Sequence, residues 1–360
     1  MNKEKILFVV ADITYIGGIE RVVTSLANNL DSNIYDITIL SLYKTNSKCN
    51  YQINANVSID YLDEYDSYSG EPGSFVRVTK LLRKIKLLKS YLHSHVYDTV
   101  VANSFPIALS LILSRCKSNL VAYEHVHYNY YSNAIKFLRK KLYNSVDEIV
   151  CLTESDRENY SKWHNNVRKI YNPLWLKSYD SSNLCNKRII AVGRLEHQKG
   201  FDDLIALFSE VKVPGWKLDI YGVGNQKNEL DKLIAHLGVD NIKLCGETDN
   251  IVGEYLTSDI LVMSSRFEGF GMVLIEAMEC GLPCIAFDCP TGPSDIIIDS
   301  ENGYLIPERN FGEYKSKLRS VMLDHSLRER LGKNAKLSTS KFNMSSITKT
   351  WEKVLSKVIV

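Results

Sequence analysis

The chain has 360 residues, 45% of them hydrophobic and 24% charged, with a formal net charge of +2. That length exceeds one ordinary doubly wound domain and suits two of about 170 residues. The composition belongs to a globular protein with buried cores, and the near-neutral balance excludes a whole-molecule attraction to nucleic acid or membrane, so any charge argument must be local.

The first apolar run, residues 6–10, follows only five residues and is too short for the hydrophobic region of a signal peptide. Further runs occupy 37–40, 99–102, 120–123 and 149–152, with helical patterns between them, as at 21–30 and 154–163. The series restarts at 188–192 and continues at 217–221, 241–244, 260–263 and 283–287. Runs without polar alternation, interleaved with amphipathic helices, imply parallel sheets covered on both faces. The fold class predicted is therefore α/β, with two Rossmann-like doubly wound domains at 1–171 and 172–345. A last helix in 346–360, carrying Trp351, is placed against the first domain. Tyr171-Asn172-Pro173 marks the join, and the polar stretch 177–187 reads as linker. Open parallel sheets take ligands at the carboxyl ends of their strands, so two such domains facing each other would define one central cleft. No stretch approaches membrane-spanning length, which places the protein in the cytoplasm or at the inner face of the membrane.

Eight cysteines are scattered without a Cys-x-x-Cys pair. A zinc site at Cys280, Cys284 and Cys289 lacks the usual ligand spacing and a nearby His, so buried reduced thiols are expected.

Three segments carry chemistry. After the first strand, Gly17-Gly18-Ile19-Glu20-Arg21 opens a helix. Glycines there let backbone amides approach a ligand, and a helix N-terminus favours anions. The pattern is not Gly-x-Gly-x-x-Gly, and a merely structural turn is the alternative. In the second half, Gly193-Arg194-Leu195-Glu196-His197-Gln198-Lys199-Gly200 leaves a strand. Arg194 and Lys199 are two cations able to hold a diphosphate, one by forked hydrogen bonds and one as a compact charge; solvated loop cations are the alternative. The sharpest pattern is Arg266-Phe267-Glu268-Gly269-Phe270-Gly271-Met272-Val273-Leu274-Ile275-Glu276-Ala277. Glu268 falls in the loop and Glu276 about one turn into the next helix, from which its side chain leans back towards the helix mouth. Amides near Gly271, Met272 and Val273 can cradle a phosphate, and a carboxylate can accept both hydroxyls of a diol. As a mere dipole partner Glu276 would contribute about 0.3–1 kcal/mol, but its helix is otherwise apolar and should be buried.

Together, Gly17-Gly18-x-Glu20-Arg21, Gly193-Arg194…Lys199-Gly200 and Glu268-Gly-Phe-Gly-x-x-x-x-Glu276 resemble the retaining glycosyltransferase family 4, of the GT-B fold. The stretch 288–295, Asp-Cys-Pro-Thr-Gly-Pro-Ser-Asp, further resembles members that build bacterial surface polysaccharides on lipid carriers. The resemblance implies a hexosyltransferase that moves a hexose or N-acetylhexosamine from a nucleotide sugar, UDP-linked on family frequency, to a saccharide on a polyprenyl lipid. It gives Gly17 and Gly18 the donor phosphate or acceptor, and His125 the donor sugar, with His127 an equal candidate. Arg194 and Lys199 would hold the diphosphate, Glu268 the sugar hydroxyls, Phe270 to Val273 the phosphate through amides, and Glu276 the ribose. Retention implies attack from the leaving-group face, with Glu268 orienting the sugar rather than acting as nucleophile.

The other common glycosyltransferase fold neutralises its diphosphate with a metal held by Asp-x-Asp, which occurs nowhere in this chain. Transfer is expected to need no metal or other cofactor, with Arg194, Lys199 and the helix mouth supplying the stabilisation. Two basic amphipathic stretches lie in the first half. One sets Val78, Leu81, Leu82, Ile85, Leu88 and Leu92 against Arg77, Lys80, Arg83, Lys84, Lys86 and Lys89; the other is Lys136-Phe137-Leu138-Arg139-Lys140-Lys141. Such helices suit an anionic membrane surface at about 1 kcal/mol per nearby cation, against the alternative of a solvated packing helix. Nucleic acid is disfavoured because these stretches lack interleaved aromatic platforms. The competing functions are a nucleotide-sugar epimerase or phosphorylase of the same fold, and a nucleotide-sugar-binding regulator without turnover. The intact Arg194, Lys199, Glu268 and Glu276 argue against the regulator.

Overall fold

The computed structural model describes residues 3–64, 66–67 and 75–356. The chain divides into two compact units, Met1–Trp175 with Met344–Val360, and Leu176–Asn343. The sequence reading set the joins at 171/172 and 345/346.

In the first unit β1 (Glu4–Val10), α1 (Gly18–Asn29), β2 (Tyr35–Ser41), β3 (Val57–Tyr61), α2 (Phe75–Ser94) and β4 (Thr99–Ala102) come first. They are followed by α3 (Phe105–Leu113), β5 (Asn119–Tyr123), α4 (Asn133–Leu142), β6 (Glu148–Cys151), α5 (Glu154–Ser161) and β7 (Val167–Lys169). The strands form one parallel sheet in the order β3-β2-β1-β4-β5-β6-β7. Ile6 to Val10 are buried in unbroken succession, because helices cover both faces of a parallel sheet. The sequence reading missed β3 and β7. Both are edge strands: β3 reads Val-Ser-Ile-Asp-Tyr with only Val57 buried, and β7 has three residues, none buried.

The second unit contains β8 (Arg188–Val192), α6 (Phe201–Glu210), β9 (Lys217–Tyr221), α7 (Lys227–Leu237), β10 (Ile242–Gly246), α8 (Ile251–Leu256) and β11 (Ile260–Met263). It continues with α9 (Met272–Glu279), β12 (Cys284–Asp288), α10 (Pro293–Ile296), β13 (Gly303–Pro307), α11 (Phe311–Leu323) and α12 (His325–Ser338). Its six strands are parallel in the order β10-β9-β8-β11-β12-β13. Residues 177–187 are no free linker. The Ser178 amide donates to Glu279, Leu184 is buried, and Lys336 Nζ donates to the Asp180 carbonyl at 2.6 Å, so the stretch is bound along this unit.

The chain ends in α13 (Met344–Leu355), which belongs to the first unit. Trp351 is fully buried there, edge-on to Tyr123 at 4.8 Å and to Phe8 at 6.4 Å between ring centres. Among the described residues no helix is long and apolar enough to cross a membrane.

Each basic stretch departs from its sequence reading at one cation, while Arg83, Lys86, Lys89, Lys140 and Lys141 are exposed. Lys84 of α2 is 5% exposed, with Nζ 2.5 Å from Asp63 and 2.9 Å from Asp66. Arg139 of α4 is wholly buried. Neither can face a membrane as a solvated cation. The side chains of Arg77, Val78, Leu81 and Leu82 lie outside the described residues.

Candidate functional site

In the second sheet, strand order reverses between β8 and β11, the place where loops leaving neighbouring strands diverge and open a ligand crevice. The two loops concerned are those carrying 193–200 and 264–271. They are laced together: the Arg266 amide donates to the Gln198 carbonyl at 2.8 Å, Gln198 Nε2 to the Phe267 carbonyl at 3.0 Å, and Ser264 Oγ to the Lys199 carbonyl at 3.0 Å. Arg266 forks onto both oxygens of Asp202 at 2.9 and 2.8 Å and reaches the His197 carbonyl at 2.7 Å.

This lacing brings Lys199 Nζ to 2.6 Å from Glu268 Oε1, across 69 positions of sequence. Ser265 Oγ donates to the same oxygen at 2.6 Å, and Thr291 Oγ1 to the Glu268 main-chain carbonyl at 2.6 Å. Glu268 is 6% exposed, so the pair sits in a largely dry setting where fixed charges interact strongly. Arg194 is exposed, and its Nη2 donates to Gln198 Oε1 at 3.4 Å. The structure therefore joins Lys199 to Glu268 and leaves Arg194 on the rim.

Gly271 is the N-cap of α9, at φ +101°, and has no side chain to occupy the first helical amides of Met272 and Val273. Phe270 is buried edge-on to Phe342 at 5.7 Å. Glu276 is 4% exposed and accepts from the Tyr255 hydroxyl of α8 at 3.2 Å. Its helix is buried, as its apolar sequence requires.

In the first sheet the reversal falls between β1 and β4. The loop after β1 is built on Asp12, whose Oδ1 accepts from the Thr14 amide at 2.9 Å and whose Oδ2 accepts from the Thr45 amide at 2.8 Å. Gly17 caps α1, and the Tyr51 hydroxyl donates to its carbonyl at 3.1 Å. A Cβ added to Gly18 would meet no atom within 4 Å, so the fold itself does not demand glycine there. His125 follows β5 and is half-buried beside Tyr123. Its Nε2 lies 3.2 Å from Asn103 Oδ1, while Asn103 Nδ2 donates to the Val9 carbonyl at 3.0 Å. With that amide nitrogen engaged, the Asn103 oxygen is the acceptor and His125 Nε2 carries the hydrogen. Burial holds the His125 imidazole well below its ordinary range, so it is neutral at physiological pH. His127 stands instead beside Tyr130, and burial, followed by Arg139 and Lys136, lowers it as well.

Cys280, Cys284 and Cys289 are buried, and desolvation pushes Cys280 up to about 11 and Cys289 to about 12. Burial thus favours the neutral thiol at both. Among the described residues no three His, Cys, Asp or Glu side chains group so as to hold a metal ion. Cys185 departs from the expectation of burial and is exposed.

Comparison with known proteins decides the family. The profile of glycosyl transferases group 1 matches residues 181–338, and that of Glycosyltransferase Family 4 matches 16–175. The amylovoran biosynthesis glycosyltransferase AmsD of Erwinia amylovora is 30% identical, over 98% of this chain and 99% of its own. The chain belongs to the family 4 glycosyltransferases. A Campylobacter jejuni enzyme, named as an α-1,4-N-acetylgalactosaminyltransferase acting on a GalNAc-GalNAc-diNAcBac diphosphoundecaprenol, is 28% identical over 98% of this chain and 99% of its own. In fold, the glycosyltransferase is similar to the Anabaena protein HepE solved with UDP and glucose, at a TM-score of 0.78 and 18% identity, covering 99% and 100% of the two chains.

Several residues of this glycosyltransferase escaped the sequence reading. Asn103 is one: a buried polar side chain directly after the all-apolar β4, at the strand-order reversal, which the topological rule could have flagged. Tyr255, Ser265 and Thr291 are others, and nothing in their local sequence marks them as partners of the two glutamates. Glu124 and Arg139 form a buried pair beside His125 that reads in sequence as an ordinary carboxylate and a surface cation.

Proposed function

We propose that this glycosyltransferase moves a hexose or N-acetylhexosamine from a UDP-sugar to a saccharide on a polyprenyl carrier, in surface-polysaccharide synthesis, with retention and without a metal. The observation that carries the reading is the Lys199–Glu268 pair, held by the loops after β8 and β11 in the approach to the mouth of α9. Lys199, assisted by Arg194 and the amides of Met272 and Val273, takes the charge of the departing diphosphate, where preorganised donors act most strongly. Both recorded donors to the Glu268 carboxylate fall on Oε1, and Oε2 is assigned to a sugar hydroxyl. Glu276, oriented by Tyr255, takes the ribose. The bond from the anomeric carbon to the phosphate oxygen breaks as the acceptor oxygen attacks the same face, and the acceptor proton passes to that phosphate oxygen. The first unit is assigned the acceptor, with Gly17 and Gly18 in its β1–α1 turn and His125 directed to the sugar.

UDP is chosen on family frequency, and the Anabaena protein's UDP and glucose accord with it. The polyprenyl acceptor rests on the name of the Campylobacter relative, and the surface-polysaccharide role on that of AmsD. A thermal-shift series with UDP, GDP and their hexoses tests the donor. UDP-sugars should raise the melting temperature, whereas a response to GDP-sugars alone would reverse the choice. Tyr255→Phe should raise the UDP-sugar Kd by about fivefold, equivalent to one lost hydrogen bond of about 1 kcal/mol; an unchanged Kd would remove Glu276 from the ribose.

Of the two stretches, α2 keeps Arg83, Lys86, Leu87 and Lys89 exposed, and α4 presents the more exposed apolar pair. Phe137 is 61% and Leu138 44% exposed, beside the exposed Lys140 and Lys141, and Lys141 Nζ lies 4.6 Å from the Phe137 ring centre. We assign this face to an anionic membrane, the apolar pair entering the interface and the lysines meeting the headgroups. Changing both Phe137 and Leu138 to Ser should lower partitioning onto phosphatidylglycerol vesicles at least about tenfold. Equal flotation of variant and parent would exclude this face.

A further inference from the structure

Arg139 lies in the last turn of α4, within a lysine-rich run that reads as a solvated face, yet it is fully buried. A guanidinium stays charged at any pH a protein survives, so burying one is costly unless specific partners take its donors. The partners here converge on one segment. Nη2 donates to the Tyr128 carbonyl at 2.8 Å, and Nη1 is 3.9 Å from Glu124 Oε2. The rings of Tyr128, Tyr131 and Tyr160 surround the guanidinium carbon at 4.9, 5.5 and 5.0 Å, within cation–π range. Glu124, itself 2% exposed, accepts from the Tyr143 hydroxyl. The Tyr128 amide donates to Asp156 Oδ1 at 2.7 Å. Between the two gripped positions, 124 and 128, lie only His125, Val126 and His127.

Stability alone does not account for this arrangement. Among the described residues Arg139 Nε and Nη1 and Glu124 Oε2 are buried without hydrogen-bond partners, and apolar replacement of a buried ion pair is often neutral or favourable. What the pair does supply is aim. Arg139 holds the Glu124 side chain at one end of the segment and the Tyr128 carbonyl at the other, and so sets the backbone from which His125 reaches Asn103. We propose that Arg139 is a positioning residue for glycosyl transfer, acting through Glu124 and Tyr128 on His125. The inference rests on the assignment of His125 to the donor sugar made above.

The test uses the full chain and three variants. Arg139→Met leaves Glu124 buried without its counter-charge and should lower the melting temperature by several degrees. Adding Glu124→Gln, which keeps an acceptor for Tyr143, should recover most of that loss. In this stable double variant, UDP release from the UDP-sugar that the wild type hydrolyses fastest should still show kcat reduced on the order of 100-fold, with donor KM changed less than about threefold. Imidazole nitrogen NMR of His125 should broaden or shift in the same variant, reporting a displaced ring, while the selective loss of kcat is the readout that a purely structural pair would not move. A stable double variant with wild-type kcat and unaltered His125 signals overturns the proposal. His125→Ala tells the two possible failures apart. If it is inactive while the double variant is active, the positioning role of Arg139 has failed; if it is itself fully active, the assignment of His125 has failed and the proposal falls with it.

Discussion

Lys199→Ala should lower kcat for sugar transfer by roughly 10²–10³, because it removes a fixed charge aimed at the leaving diphosphate. In the structure that ammonium is fixed by Glu268 at 2.6 Å and by the lacing of its loop to residues 264–267. Its site is therefore preorganised, and Arg194 is not held to take its place, being exposed with a 3.4 Å bond to Gln198. The substitution leaves Glu268 with Ser265 but without a counter-charge, which should reduce stability by about 1–3 kcal/mol and not unfold the unit. Circular dichroism and a melting curve establish that the fold persists; a steady-state assay then reads kcat. Glu268→Ala should produce a loss of the same order, since it removes both the sugar contact proposed above and the group that orients Lys199. Near-normal turnover in both folded variants would contradict the assignment of this pair.

Gly222→Ala should cost about 3 kcal/mol or more and lower the melting temperature of the second unit by roughly 6–12 °C. Gly222 follows β9 at φ +142°, where L side chains are strained, and an added Cβ would stand 1.9 Å from the Gly193 carbonyl oxygen. Neither neighbour can yield cheaply, because both are backbone: the Gly222 amide donates to Gly246 at 2.7 Å and the Gly193 amide to Tyr221 at 3.0 Å. The residue displaced is the one before Arg194, so donor affinity should fall with stability. Gly18→Ala is the contrasting case. A Cβ there meets nothing within 4 Å, so stability should stay within about 0.5 kcal/mol of the parent while transfer falls through ligand crowding. Equal melting temperatures for Gly222→Ala and the parent would show that the loop after β8 is looser than its contacts imply.

The strands most legible in sequence were those buried on both faces. The runs 99–102, 188–192, 217–221 and 260–263 coincide with β4, β8, β9 and β11, since a central strand of a parallel sheet buries most of its side chains and is mainly apolar, with polar residues such as Thr99, Arg188, Lys217 and Asp219 interspersed. The edge strands β3 and β7 lack that signature and were missed for this reason; β13, which buries Gly303, Tyr304 and Ile306, was also missed, while the edge strand β10 was read. Cations were harder. Arg194 and Lys199 share one loop motif, and Lys84 and Arg139 each sit in a basic helical run, yet Lys199 is paired in the site, Arg194 is on the rim, and Lys84 and Arg139 are buried beside Asp63 and Glu124. Glu268 and Glu276 could be read because each stands alone in a glycine-rich or apolar setting, where a carboxylate needs a reason. Their partners could not, because Ser265, Thr291 and Tyr255 acquire their roles only from the tertiary approach of separate loops and helices.

The central claim is that the protein's own cations and helix mouth neutralise the departing diphosphate. The most direct test is UDP release from a UDP-sugar in excess EDTA, measured side by side for the parent and Lys199→Ala. The account predicts a parental rate unchanged by chelation and a variant rate lower by roughly 10² or more. A parental rate abolished by EDTA and restored by a divalent cation, or a variant as fast as the parent, would contradict it.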